Sequence, residues 1–419
     1  MTSRKKNSLD PIIIIGLLFF IFGFITWLNA TLIPYLRTAL ELTSFEAYLV
    51  TFAFYISYFV MAIPSSKVLG KVGFKNGMSL GLLVMALGAL IFVPAAYTRT
   101  YVWFLTGLFV QGTGLALLQT AANPYVTILG PIESAAKRIS IMGVANKFAG
   151  ILSPLILGAV ILNGIGKLNK NLAGMSVAGK TAALDALALK VVLPYVIIAV
   201  VLVILAVFIW ISSLPEVEAK EEVSDIEVKR TSLFGFPYFW LGVVALFFYV
   251  GAEVVAVDTL INYGLSLGFD IKVARFFSSF TLIAMIVGYL VGIISIPRFI
   301  SQQKALRYFA ILGILFTLIA VFTHGYTSVL FVAALGFANS IMWPAIWPLA
   351  IDGLGKFTKR GSAFLVMAIA GGALIPLLYG YLAGLKSVGS THAYSILVVC
   401  YSVIFYFAIK GSKIGKQHV

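Results

Sequence analysis

Long, uninterrupted apolar runs dominate this sequence, and they constrain its fold more than any other feature. A helix needs about 20 largely apolar residues to cross a bilayer, and most of the runs here reach that length. With 61% hydrophobic residues, 11% charged residues and a mean hydropathy of +1.04, a water-soluble fold would expose far too much apolar surface. Only helices and closed barrels satisfy their backbone groups in lipid. Because continuous runs of this length are helical, the sequence predicts an all-α integral membrane protein.

The apolar runs are divided by one strongly polar segment. We number them as spans 1 to 12; they cover residues 11–36, 44–70, 76–96, 101–128, 137–163 and 191–213, then 237–268, 271–296, 304–323, 326–352, 360–383 and 390–410. The stretch from Pro215 to Glu222 is typical of a solvated linker. We therefore expect an N-terminal six-helix bundle at 1–213, a cytoplasmic linker at 214–236 and a C-terminal six-helix bundle at 237–419.

Lysine and arginine in the short connections predict which side faces the cytoplasm. They concentrate before span 1, after spans 2, 4, 8 and 10, in the linker and after span 12, all on one side. The long 163–190 connection on the other side also carries lysines, but long connections follow this rule poorly. We expect both termini to be cytoplasmic, in a multi-pass membrane protein. The formal net charge of +15 needs no nucleic acid as a partner, because topology and anionic lipid account for it.

Cysteine and histidine give no support to catalysis. Cys400 stands alone, which excludes a disulfide framework and a cysteine-rich metal site. His324, His392 and His418 lie in or near connections and lack metal-ligand spacing. Nor does the sequence show paired acids, or a histidine with an acid, on facing spans. We expect no enzyme, no cofactor and no bound metal.

Polar groups inside the spans are the exceptions that point to a function. In span 4, Gln119 and Asn123 are four residues apart and so share one helix face, while Pro124 removes a backbone hydrogen bond beside them. Such amides also serve simply to join helices in membranes.

Similar groups recur in other spans. Span 1 contributes Asn29 and span 5 contributes Asn146 with Lys147, while Asn339, Trp343 and Trp347 follow one another every four residues in span 10. Amides beside flat aromatic faces suit a polyhydroxylated ligand, whose hydroxyls donate and accept and whose C–H faces pack on indole. The tryptophans have interfacial anchoring as an alternative role. The expected substrate-binding residues are Asn29, Gln119, Asn123, Asn146, Lys147, Asn339, Trp343 and Trp347.

Several of these segments carry a family resemblance. QTAANPYVTILGP at 119–131 resembles the span-4 signature of the fucose:proton symporter family of the major facilitator superfamily, and NATLIP at 29–34 and YVGAE at 249–253 fit the same family. The segment from Trp343 to Gly372 does so too. The resemblance covers almost the whole chain and is strongest to the glucose/galactose permease branch. It implies twelve helices in two six-helix bundles, a central site, alternating access and a functional monomer.

Two departures from the fucose symporter concern proton coupling. Ala30 replaces an aspartate after the span-1 asparagine of that family, and Gln119 replaces its span-4 glutamate. Neither residue titrates, so the family's proton mechanism does not carry over. The remaining coupling candidates inside the spans are Glu253, Asp258 and Lys147, because ionisable groups there are costly and usually functional.

The relation between those three groups stays open at this point. By helical rise, Glu253 lies further from the cytoplasm than Lys147, so a direct pair would require a bent helix or a long reach. Glu253 and Asp258 are five residues apart and so face different ways, which disfavours a sodium cage built from both.

The sequence therefore favours a secondary active transporter of monosaccharides such as glucose, galactose or fucose, coupled to Na+ or H+. An uncoupled sugar facilitator and a solute sensor that does not transport remain as alternatives. The expected partners are a monosaccharide and the lipid bilayer.

Overall fold

A computed structural model describes residues 11–128, 135–212, 214, 232–296, 298–354 and 357–416. These residues form helices and connections without a strand, and eleven of the helices are long and apolar enough to cross a membrane. One of the eleven, Ser44–Thr98, is 55 residues long and supplies both span 2 and span 3. The twelve predicted spans are therefore present, while most of the predicted linker, residues 215–231, falls outside the described part of the chain.

The helix bounds follow the apolar runs closely. Spans 1 to 6 are Pro11–Thr26 with Asn29–Ala39, Ser44–Thr98, Tyr101–Ile128, Ala135–Ile161 and Val192–Ile211. Spans 7 to 12 are Pro237–Asp258 with Leu260–Ser266, Ile271–Ala274 with Phe277–Ser295, Gln302–Phe322, Gly325–Asn339 with Met342–Ile351, Thr358–Met367 with Gly371–Gly384, and Gly389–Ala393 with Ile396–Ile409. The 163–190 connection forms two further helices, Ile165–Asn171 and Val177–Leu189.

The long helix of spans 2 and 3 shows how local sequence sets its limits. Thr43 caps its start: the Thr43 hydroxyl accepts from the backbone N–H of Glu46, whose carboxylate accepts from the backbone N–H of Thr43. At Gly73 the backbone takes a φ of 79°, which glycine adopts without steric cost. The chain reverses there, so spans 2 and 3 run antiparallel.

Several spans are broken near their middle. Span 1 is interrupted after Thr26, span 7 at Thr259 and span 10 after Asn339. In span 10, Pro344 cannot donate to the carbonyl of Ser340, which weakens the helix where it breaks. Interrupted helices leave backbone groups free and are tolerated where protein or a cavity surrounds them.

Small residues let the spans approach closely, as lipid-embedded helices require. Gly23 of span 1 lies against the backbone of Asn146 in span 5, where a Cβ atom would come within 2.2 Å of the Asn146 carbonyl oxygen. This contact fixes the position of Asn146, and of Lys147 after it, relative to span 1.

The two halves of the chain, spans 1–6 and 7–12, are joined on one side of the membrane. We call this side the loop end, because it carries the 163–190 connection. Arg37 donates to Asn262 Oδ1 at 3.0 Å, Asn262 donates to the Tyr48 hydroxyl at 3.4 Å, and Tyr48 packs edge-on against Tyr379 with ring centroids 5.6 Å apart. These contacts close the loop end over the space between the halves.

Candidate functional site

A cavity of about 150 Å³ lies between the two halves. Both halves contribute to its wall, through spans 1, 2, 4 and 5 on one side and spans 7, 8, 10 and 11 on the other. Its polar and aromatic lining residues are Phe19, Phe22, Thr26, Trp27, Tyr55, Tyr58, Gln119, Asn146, Lys147, Tyr249, Glu253, Tyr289 and Trp343.

An ion pair crosses this cavity. Lys147 Nζ of span 5 lies 2.8 Å from Glu253 Oε1 of span 7, and the two residues are 7% and 8% exposed. From the helical rise, a direct pair was expected to need a bent helix or a long reach. In the structure the lysine side chain reaches the Glu253 carboxylate. Lys147 Nζ also lies 4.4 Å from the ring centroid of Trp27, where a cation is attracted by the ring face. Two charges that would each be costly in this setting thus compensate one another.

Two amides stand beside the ion pair. Gln119 donates from Nε2 to the hydroxyl of Tyr58 at 3.0 Å. Asn146 donates to the Phe19 carbonyl at 3.3 Å and accepts from the Trp27 indole at 3.5 Å. These bonds orient both amides, and among the described residues the Gln119 oxygen has no hydrogen-bond partner and can accept from a ligand.

Aromatic rings form much of the remaining wall. Trp343 stacks on Trp347 with centroids 5.2 Å apart and lies 6.4 Å from Tyr249. On the opposite side, Tyr55 and Tyr58 stack with centroids 6.2 Å apart. The cavity therefore presents flat apolar faces next to hydrogen-bonding and charged groups, which is the combination that a sugar ring requires.

The structure brings together some of the predicted site residues and leaves others apart. Gln119, Asn146, Lys147 and Trp343 line the cavity, as does the coupling candidate Glu253. The side chain of Asn123 lies outside the described residues.

Three predicted site residues do not line the cavity. Asn339 is fully buried and accepts from the Tyr401 hydroxyl at 3.0 Å, which ties span 10 to span 12. Asn29 starts the second segment of span 1 and is 1% exposed. Trp347 does not reach the cavity wall but stacks on Trp343, which does. Helical periodicity placed Asn339 on one stripe with Trp343 and Trp347, but the break after Asn339 separates it from the segment Met342–Ile351 that carries both tryptophans.

Asp258 also lies away from the cavity. It is fully buried and accepts from the Thr51 hydroxyl of span 2 at 3.2 Å, whereas Glu253 faces span 5. The two carboxyls thus serve different contacts, as their spacing predicted. Within the described residues, no cluster of three or more His, Cys, Asp or Glu side chains is arranged to hold a metal ion.

The sequence did not identify the tyrosines of the cavity. Tyr55 and Tyr58 of span 2, Tyr249 of span 7 and Tyr289 of span 8 all contribute to its wall. The three-residue spacing of Tyr55 and Tyr58 was a usable signal, because it places both on one helix face. Tyrosine is common in membrane proteins, however, so the pattern did not stand out.

Comparison with known proteins gives consistent results. A family model described as Major Facilitator Superfamily matches residues 15–379. A glucose/galactose transporter of Brucella abortus is 36% identical over 419 residues, covering 98% of this chain and 96% of that protein. The L-fucose-proton symporter of Escherichia coli K12 is 31% identical over 416 residues, covering 97% and 94%.

The same likeness holds in three dimensions. A crystal structure of the transporter FucP in the outward conformation superposes with a TM-score of 0.73 at 31% identity, covering 98% of this chain and 99% of that one.

Proposed function

The chain belongs to the Major Facilitator Superfamily, and on this premise we propose that it is a secondary active transporter that carries a monosaccharide together with a proton. The observation that carries the proposal is the cavity between the halves, where amides, an ion pair and aromatic faces converge. The names of its relatives support the substrate class and the coupling ion, since one is a glucose/galactose transporter and another an L-fucose-proton symporter.

The lining of the cavity supports a sugar as the substrate. Gln119, Asn146, Lys147 and Glu253 offer hydrogen-bonding groups beside the rings of Trp27 and Trp343.

The Lys147–Glu253 pair supplies recognition as well as charge balance. An ammonium group has three donors and a carboxylate has two acceptor oxygens, and the pair uses one of each for its own contact. The remaining donors and the second oxygen serve vicinal hydroxyls of a sugar, with Trp27 and Trp343 as the packing faces. We assign Gln119, Asn146, Lys147, Glu253 and Trp343 to the sugar site, and we retain Asn123 as a member predicted from its place in the span-4 signature.

Alternating access follows from the arrangement of the halves. We propose that residues 1–213 and 237–419 rock about the cavity as two bundles, with residues 214–236 as their cytoplasmic linker. With both termini cytoplasmic, the loop end faces outward, and the contacts among Arg37, Asn262 and Tyr48 close the outer side. We also propose that the monomer is the functional unit in the bacterial inner membrane.

Uptake into proteoliposomes tests this function directly. Purified protein should accumulate labelled glucose, galactose or fucose above equilibrium when the exterior is more acidic than the interior. A sodium gradient alone should give no accumulation, because the described part of the cavity wall contributes a single carboxylate, that of Glu253.

The other outcomes separate the alternatives. Accumulation driven by sodium alone would replace the proton, and equilibration independent of either gradient would make the protein a facilitator. Absence of uptake with retained sugar binding would indicate a sensor.

Replacing Gln119 by alanine should weaken sugar binding about tenfold, which corresponds to about 1.4 kcal/mol, because the sugar loses a hydrogen-bonding partner. Titration of tryptophan fluorescence measures this, since Trp27 and Trp343 line the cavity. The control is Thr120→Ala, because the adjacent hydroxyl bonds to the carbonyl of Ala116 in its own helix at 2.7 Å. Equal affinity of the wild type and Gln119→Ala would remove Gln119 from the site. Asn123→Ala should resemble Gln119→Ala.

A further inference from the structure

Asp258 is a buried acid that forms no ion pair within the described residues. It ends the first helix of span 7 and is 0% exposed. Its Oδ2 accepts from the Thr51 hydroxyl at 3.2 Å, and its Oδ1 has no hydrogen-bond partner within the described residues. The sugar site does not use this residue, because it does not line the cavity.

The basic side chains nearby are committed elsewhere. Arg37 donates to Asn262, one helical turn beyond Asp258, and Lys147 is bound to Glu253 on another face of span 7. The other ionisable groups facing Asp258 are the hydroxyls of Tyr48 and Tyr55 in span 2 and the carboxyl of Glu253 on its own helix. None of these supplies a positive charge. An ionised carboxylate buried without a cation is far more costly than a neutral acid, so the form compatible with this packing is protonated.

The contact that buries Asp258 is also a contact between the halves. Thr51 belongs to span 2 and Asp258 to span 7, and their bond lies between the cavity and the Tyr48–Tyr379 contact at the loop end. Separation of the halves at the loop end must break this bond and admit water to the carboxyl. Hydration then lowers the free energy of the ionised carboxylate, so ionisation of Asp258 and opening of the loop end favour each other.

We propose that Asp258 is the residue that binds the transported proton, and that its protonation stabilises the closed loop end. The carboxylate takes the proton from water on the loop-end side and gives it to water in the cavity after the halves open on the other side. The buried charge that remains favours reopening of the loop end. Tyr55 lines the cavity and is near enough to interact electrostatically with both Asp258 and Glu253, which places Asp258 close to the cavity although it does not line it. This inference rests on the proposed function, since it assigns the coupling residue of that transport.

Asp258→Asn tests the assignment, because the asparagine side chain mimics the neutral acid and retains an acceptor for Thr51. Asp258→Asn should exchange labelled for unlabelled sugar across proteoliposomes within twofold of the wild-type rate. Under an inward proton gradient, its accumulation ratio should fall to one. In lightly buffered, de-energised cells, addition of sugar should alkalinise the medium with the wild type but not with Asp258→Asn. Asp185→Asn is the matched control, since that carboxylate belongs to an exposed pair with Arg99, and it should retain both exchange and accumulation.

Asp258→Ser provides a second neutral variant in case the first does not fold, and the same pattern is expected. Proton-driven accumulation or alkalinisation by either variant would overturn the assignment while leaving sugar transport intact. Loss of exchange in both variants would also overturn it, because Asp258 would then serve more than the proton. Sugar uptake by the wild type without alkalinisation would overturn it as well. By contrast, absence of any sugar uptake by the wild type would refute the proposed function itself.

Discussion

Lys147→Met should lower the free energy of unfolding by about 3–5 kcal/mol, because it leaves the Glu253 carboxylate buried without its partner. The wild-type pair is held at 2.8 Å with both residues less than 9% exposed, so little solvent compensates the orphaned charge. Thermal unfolding in detergent can be followed with a thiol-reactive dye, since Cys400 is the only cysteine and is 1% exposed.

Two further variants distinguish the cost of a buried unpaired charge from the cost of losing an ion pair as such. The double variant Lys147→Met with Glu253→Gln should recover most of the stability, because no unpaired charge remains. Lys180→Met breaks the exposed pair with Glu41 and should cost less than about 1 kcal/mol. If Lys147→Met were no more destabilising than Lys180→Met, the pair would contribute little. The double variant should still lose sugar transport, because its ammonium and carboxylate are absent from the cavity.

Gly380→Val should hold the transporter open at the loop end and reduce transport about fivefold or more. A Cβ atom at Gly380 would lie 2.1 Å from Tyr48 Cδ2 and 3.1 Å from Tyr48 Cβ, so valine prevents span 11 from closing against span 2. Overpacking of this kind costs about 1–3 kcal/mol, and each 1.4 kcal/mol shifts an equilibrium about tenfold.

The rate at which a buried cysteine is labelled measures the expected opening of the loop end. With Cys400→Ser as background, Thr51→Cys is shielded when the loop end is closed, since Thr51 is 0% exposed. An impermeant maleimide added at the loop end should label this cysteine faster when Gly380→Val is also present. Gly384→Val is the matched control one turn along span 11, where a Cβ atom would meet Ser44 at an ordinary 3.8 Å. Equal labelling rates in the two valine variants would contradict the prediction.

The membrane class and the twelve spans follow from the sequence because hydropathy is a local property. Each apolar run has to form its backbone hydrogen bonds within itself when it lies in lipid, independently of the neighbouring spans. The predicted start of span 7 at residue 237 and of span 8 at residue 271 agree with Pro237–Asp258 and Ile271–Ala274. The breaks within spans were not located, since proline and glycine mark them only loosely.

The candidate site was predictable in part for a related reason. Gln119, Asn146 and Lys147 are costly in lipid, so their presence alone indicated an interior position, and the structure places them on the cavity wall. Asn339 carries the same signal but bonds to Tyr401 inside its own half. A polar residue within a span thus indicates that it has a polar partner, but it does not show whether that partner is a ligand or another helix.

The sequence by itself determined that the chain crosses the membrane, where its spans lie and which polar residues avoid lipid, because each of these depends on the residues of one helix. Only the tertiary structure decided that Lys147 pairs with Glu253, that Asp258 meets Thr51 rather than a cation, and that tyrosines complete the cavity. Those contacts join residues more than 100 positions apart in the chain. They depend on how broken helices pack and on how far side chains reach between them, which no local pattern encodes.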